Sequence, residues 1–257
     1  MALLEENWGD RNARTILVTD KPTDAAFPGV EILAAGEGAE FTQRLALALE
    51  RVQSKYILFT LDDYFLTRPI DSAALEGDIR FMEAEQVDYL RLYPASRHQM
   101  KVEGAWTVQD FPGYYVRNMA RGDYKISLYP GIWRVDFMKK TLELPRNAWE
   151  YEVAVSELAK ELGAKCAISC HREFPILDVV RKGKLLPKAR WYFHRHPIYH
   201  GGRETLPCWD AWRIELQTML RHWLPGPVFQ ASKRWLARRG HRFYSPVEGA
   251  CHEDSVH

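Results

Sequence analysis

The segment Tyr56-Ile57-Leu58-Phe59-Thr60-Leu61 is almost unbroken in its apolar character and stops at two adjacent carboxylates, Asp62 and Asp63. In open α/β sheets ligands gather at the carboxyl ends of strands, so paired acids at such an end stand where a site would form. Two like charges side by side at the mouth of a core require a cation. Mg²⁺ or Mn²⁺ suits them, being a hard ion that takes one or two protein carboxylates and completes its shell with phosphate oxygens and water. The plainer alternative is that Asp62 and Asp63 open a turn and cap the segment that follows.

Two further groups of residues have chemical potential. Trp149-Glu150-Tyr151-Glu152 opens a helix, where an acid can face a cleft without lying in the core. A carboxylate placed there is a candidate base for a hydroxyl nucleophile, worth about 10² to 10⁴ in rate; the alternative is a pair of ordinary first-turn acids. Val180-Arg181-Lys182-Gly183-Lys184 is a compact basic loop. Arg181, Lys182 and Lys184 could clamp a diphosphate and offset the charge that develops on a leaving group, or be only a solvated surface.

These residues need a scaffold, and the chain predicts one. Thr15–Thr19 and Val30–Leu33 read as strands separated by turn material, Phe41–Val52 as a helix, and Lys55–Leu61 as a strand buried on both faces in the middle of a parallel sheet. Ser72–Glu85 reads as a helix and Val87–Tyr93 as a strand. This alternation predicts an α/β fold built on an open, mostly parallel sheet flanked by helices. Residues 95–125 lack a clear period and suit a β-rich insertion or a substrate loop. Helices follow over Val135–Leu144 and over Trp149–Leu162, the latter capped by Asn147 and closed by Gly163, and Lys165–Ser169 reads as the last core strand. Two amphipathic helices, Trp209–Leu224 and Val228–Arg239, are expected near the end.

Composition narrows the function classes. With 257 residues, 46% hydrophobic and 27% charged, the chain is long enough for a continuous core and unlike a disordered protein. No apolar run reaches the roughly 18 to 20 residues that cross a bilayer, and the first residues lack the order of a secretory signal, so a cytoplasmic protein is expected. Cys166, Cys170, Cys208 and Cys251 are spaced too irregularly for a zinc ribbon. The net charge of +1 hides an asymmetry: residues 181–257 carry 14 Lys and Arg against 6 Asp and Glu. Those cations alternate with Trp and Leu in helices and form no exposed stripe, which argues against nucleic acid and for an amphipathic helix able to lie on an anionic membrane through residues 209–242.

Taken together, YILFTLDDYFL, SLYPGIWRVDF, NAWEYEVAVSELAKELG and VVRKGK resemble bacterial glycosyltransferases of the GT-A fold that build capsular and lipopolysaccharide glycans, over about Thr15 to Lys184. The resemblance implies a transferase domain at 1–184 with a basic, Trp-rich helical extension at 185–257 packed on it. It places Asp62 and Asp63 at the metal-binding Asp-x-Asp motif, although here the acids are adjacent. In family-2 enzymes a catalytic acid opens a helix that ends eleven residues later at a glycine; counting back from Gly163 reaches Glu152. The resemblance therefore implies Glu152 as base, with inversion at the anomeric centre. Glu150 and Trp149 would shape the acceptor pocket, and Trp133 could stack a sugar.

The implied partners are a nucleotide-sugar donor and a glycan or lipid-linked glycan acceptor at the inner face of the cell membrane. His171, His194, His196 and His200 are weaker candidates for a late metal ligand. The family normally begins with a strand, loop and helix that hold the nucleotide base, and here that first βα unit is expected to be absent. A non-catalytic binding or assembly protein of polysaccharide synthesis is the alternative this leaves.

Overall fold

The structure, a computed structural model, describes residues 1–95, 100–101, 104–120, 125–145, 147–181, 183–197, 202–213 and 216. A short helix α1 (Ala2–Trp8) precedes the parallel pair β1 (Thr15–Thr19) and β2 (Val30–Ala34), followed by α2 (Phe41–Leu49), β3 (Tyr56–Phe59) and β4 (Tyr64–Leu66). Next come α3 (Ser72–Ala84), β5 (Tyr89–Arg91), the hairpin β6 (Trp106–Val108) and β7 (Phe111–Val116), and β8 (Gly131–Arg134). The short helix α4 (Val135–Lys139), α5 (Ala148–Glu161) and β9 (Cys166–Ser169) complete the core. Three short strands, β10 (Ile176–Asp178), β11 (Val180–Arg181) and β12 (Lys184–Leu185), lead to α6 (Pro187–Arg195).

Six strands form the main sheet in the order β3-β8-β5-β9-β7-β6. It is mixed: β5 and β9 are parallel neighbours, and the other four pairings are antiparallel. Strands β3, β5, β6 and β9 consequently point one way, while β8 and β7 run against them. Alternation of side chains sorts the core onto two faces. Tyr89, Trp133 and Cys166, which stand opposite one another in register, pack with α2, α4 and α5. Their neighbours Leu90, Ile132 and Ala167 face α3.

The helices form where the sequence places caps and stripes. Asn147 accepts from the Glu150 N–H at 2.9 Å, and Tyr151, Val155 and Ala159 lay one apolar stripe of α5 into the core. Gly163 takes φ +64° just beyond its end, a left-handed conformation that glycine adopts without strain. Helix α2 starts with a reciprocal capping box between Glu40 and Gln43. Gly131 is required by close approach, since a Cβ there would lie 2.9 Å from the Leu90 carbonyl oxygen.

The strand at Lys55–Leu61 differs from expectation. It is half-buried along its length and pairs in the main sheet only with β8, so it is an edge strand and not a central one. Its side chains touch both core clusters, Ile57, Phe59 and Leu61 on one face and Tyr56 and Leu58 on the other. An apolar run reports that both faces are covered, which is equally true at a covered edge. Residues 106–116 form the β-rich insertion, added beside β9.

Beyond Lys184, α6 packs through Ala189 and Phe193 onto Val179 and Leu185, with the Phe193 ring 5.6 Å from Phe65. A helical turn covers 208–213. The remainder of the helix expected over Trp209–Leu224 lies outside the described residues apart from Leu216, and that over Val228–Arg239 lies outside them altogether, as does Cys251. Among the described residues no helix is long and apolar enough to cross a membrane.

Candidate functional site

Strand β3 ends in a tight turn in which the Tyr64 N–H donates to the Leu61 carbonyl at 3.3 Å, leaving Asp62 and Asp63 as the two central residues. The turn reading is what the structure shows, and the turn holds both carboxylates near the strand end. Asp62 is exposed, whereas Asp63 is half-buried and its Oδ1 is sealed from solvent without a hydrogen-bond partner. An acceptor left in this way is costly unless something binds it.

Antiparallel pairing of β4 with β10 then brings a third acid to the turn. Asp178 stands opposite Tyr64 in register, and the Val179 N–H donates to the Asp63 carbonyl at 3.0 Å. Burial first, then the Asp62 and Asp178 charges, push the Asp63 carboxyl up to about 6, and Arg181 partly opposes them. Arg181 itself donates to Asp178 Oδ2 at 3.2 Å. One guanidinium therefore serves Asp178 directly and Asp63 through its charge. Among the described residues no three acid, His or Cys side chains converge closely enough to hold a metal unaided. Asp62 and Asp63 are the residues that could hold a hard cation completed by ligand oxygens.

A tyrosine ladder borders the acids. Tyr64 stacks on Tyr129 at 5.3 Å, and Tyr129 stacks on Tyr93 at 4.6 Å with an interplanar angle of 10°. Arg91, at the carboxyl end of β5, lies over both Tyr129 and Tyr93, with Cζ 4.9 and 5.5 Å from the ring centres. Burial raises the Tyr64 phenol far above its ordinary range, and Tyr129, Asp63, Asp178 and, least, Glu152 add to the shift. Glu152 Oε1 accepts from the Leu128 N–H at 3.0 Å, tethering the loop that carries Tyr129.

The other expected site residues fall differently. Glu150 and Trp149 are exposed on the first turn of α5. Trp133 is fully buried, tilted on Tyr89 at 4.7 Å and stacked on Phe137 at 6.0 Å. It is a core residue and offers no face to a sugar, because inward alternation on β8 points it into the helix-covered side of the sheet. Lys184 on β12 pairs at 2.9 Å with Glu204, where the chain beyond α6 returns beside that strand, and Lys182 lies outside the described residues. His171 Nε2 sits 2.9 Å from the Pro112 carbonyl oxygen, by Tyr114. His194 is exposed, His196 stacks on Tyr192 at 4.4 Å, and His200 lies outside the described residues. Cys166 is a buried free thiol pushed by burial up to about 12, Cys208 is also free, and the Cys170 thiol donates to Met100 Sδ at 3.9 Å.

On the other side of the sheet, α3 turns an acid inward. Asp78 is fully buried with neither carboxyl oxygen in a normal hydrogen bond. Burial and then Glu173 push it up to about 8, weakly opposed by the nearby Tyr114 hydroxyl. The folded state thus holds a proton that the unfolded chain, with an ordinary carboxyl near 4, releases. Its contribution to stability is complete below about 4 and is lost as pH rises through about 8. Asp78→Asn is expected to flatten that decline and to raise stability at pH 8.5 by about 1 kcal/mol or more, measured by urea unfolding across pH 5 to 9.

Comparison with known proteins finds no family model that matches the chain and no curated protein that matches it.

Proposed function

We propose that this protein is a metal-dependent glycosyltransferase that moves a sugar from a nucleotide-diphosphate donor to a hydroxyl of a cell-surface glycan. The observation that carries the reading is the sealed, unpartnered Asp63 Oδ1 at a strand end, with Asp62, Asp178 and Arg181 around it and a tyrosine ladder beside it. A divalent ion there would neutralise the diphosphate that leaves. Asp62 and Asp63 would hold it, joined by Asp178, and Arg181 would meet the phosphate oxygens. Glu152, on the same side as Tyr64, is the candidate acceptor of the hydroxyl proton, with inversion as the outcome. The fold in this reading is of the GT-A kind, and the acceptor is a glycan or lipid-linked glycan met at the inner face of the membrane.

Calorimetry with a nucleoside diphosphate tests the site. Binding is expected to need Mn²⁺ or Mg²⁺ and to weaken at least about tenfold in Asp63→Ala, because two carboxylates hold a hard cation weakly without phosphate oxygens. Equal affinity with metal and with chelator, or in the variant, would remove the metal from the reading. A second reading, a binding protein of polysaccharide synthesis without turnover, is favoured by one contact: Glu152 Oε1 is already engaged by the Leu128 N–H. Diphosphate binding without any transfer to glycan acceptors would support it.

A further inference from the structure

The acid cluster is not the only charged feature at this end of the sheet. Arg91 is 9% exposed, and its Nε is sealed without a partner. Among the described residues no carboxylate pairs with it, and its contacts are the faces of Tyr129 and Tyr93. A guanidinium taken out of water is costly unless an anion or an acceptor meets it, and ring faces offset only part of that cost.

Its surroundings suggest what the anion belongs to. Tyr93 is 38% exposed and stacks face to face on Tyr129, so the pair ends in a partly open ring with the Arg91 guanidinium close by. Sugars stack on such faces through their C–H groups. A planar guanidinium recognises carboxylate and phosphoryl oxygens in pairs, which a lysine does not. A sugar ring laid on Tyr93 would bring a negatively charged substituent within reach of Arg91.

We propose that Arg91, with Tyr93 and Tyr129, is a subsite for an anionic sugar, recognising a carboxylate or phosphoryl substituent on a ring stacked against Tyr93. This rests on the reading of the neighbouring acids as a sugar-transfer site and specifies its substrate class as a charged sugar. Arg91 sets specificity and is not assigned a chemical step.

Saturation-transfer NMR titrations in the presence of chelator test it without metal or nucleotide, using methyl glucuronide, glucose 1-phosphate and methyl glucoside, with inorganic phosphate added as a competitor of glucose 1-phosphate. One charged sugar is expected to bind about tenfold more tightly than the neutral one; which one responds identifies carboxylate or phosphoryl as the group. The preference should vanish in Arg91→Gln and persist in part in Arg91→Lys. Should Arg91→Gln fail to fold, Tyr93→Leu at the exposed ring is expected to fold and to weaken the charged sugar severalfold. Equal binding of charged and neutral sugars, an undiminished preference in Arg91→Gln, unchanged binding in Tyr93→Leu, or phosphate binding as well as glucose 1-phosphate would each overturn the proposal. Loss of metal-dependent diphosphate binding alone would remove the transfer reading while leaving the charged-sugar preference measurable.

Discussion

Glu152→Gln is expected to fold as the wild type does and to lose transfer by about 10² or more in turnover. The substitution separates two roles of one side chain. The Gln side-chain oxygen can still accept from the Leu128 N–H, which the Glu152 Oε1 holds at 3.0 Å, so the loop carrying Tyr129 keeps its tether. What the amide cannot do is accept a proton. Glu152→Ala removes both functions: it leaves the partly buried Leu128 N–H without its acceptor and should also destabilise the fold by about 1 to 3 kcal/mol. Transfer assays and urea unfolding on both variants distinguish the roles. A near-wild-type rate in Glu152→Gln would leave Glu152 as a positioning residue and turn attention to Glu150.

The largest stability effect should come from Trp133. Its side chain is fully buried in register with Tyr89 and stacked on Phe137, so truncation leaves a large cavity between the sheet and α4. Trp133→Ala is expected to cost about 3 to 5 kcal/mol in urea unfolding. Trp133→Phe should cost much less, since it keeps a ring in the stack and removes an indole N–H that has no partner. A Trp133→Ala protein as stable as the wild type would mean that the ring is not core, and would reopen its role as a sugar platform.

Local signals in the chain were sufficient for most of the scaffold. The strands at Thr15–Thr19, Val30–Ala34, Tyr89–Arg91 and Cys166–Ser169, and the helices α2, α3 and α5, stand where the local pattern places them, within a few residues, whereas α4 starts at Val135 as expected but ends at Lys139 instead of Leu144. The inward face of α3 was readable too: Asp78 falls between Leu75 and Met82 at helical spacing, an acid on an apolar stripe, although nothing local says that it is buried beside Glu173. Trp133 shows the limit of residue type as a guide, because an aromatic ring serves a core and a sugar platform alike.

What the sequence by itself determined is the pair Asp62-Asp63 at a strand end, the acid-bearing helix at 148–161, and an α/β chain with helices to cover both faces of a sheet. These depend on neighbours a few residues apart, where backbone propensity, capping and alternation operate. Only the tertiary structure decided that β3 lies at an edge and β8 inserts antiparallel between β3 and β5. It alone brought Asp178 and Arg181 to Asp63, through a β4–β10 pairing across more than a hundred residues of chain, and lined Tyr64, Tyr129 and Tyr93 against Arg91. Strand register and order are set by which complementary faces and edges remain to be covered once the whole chain collapses, and no window of the sequence contains both partners of such a pair.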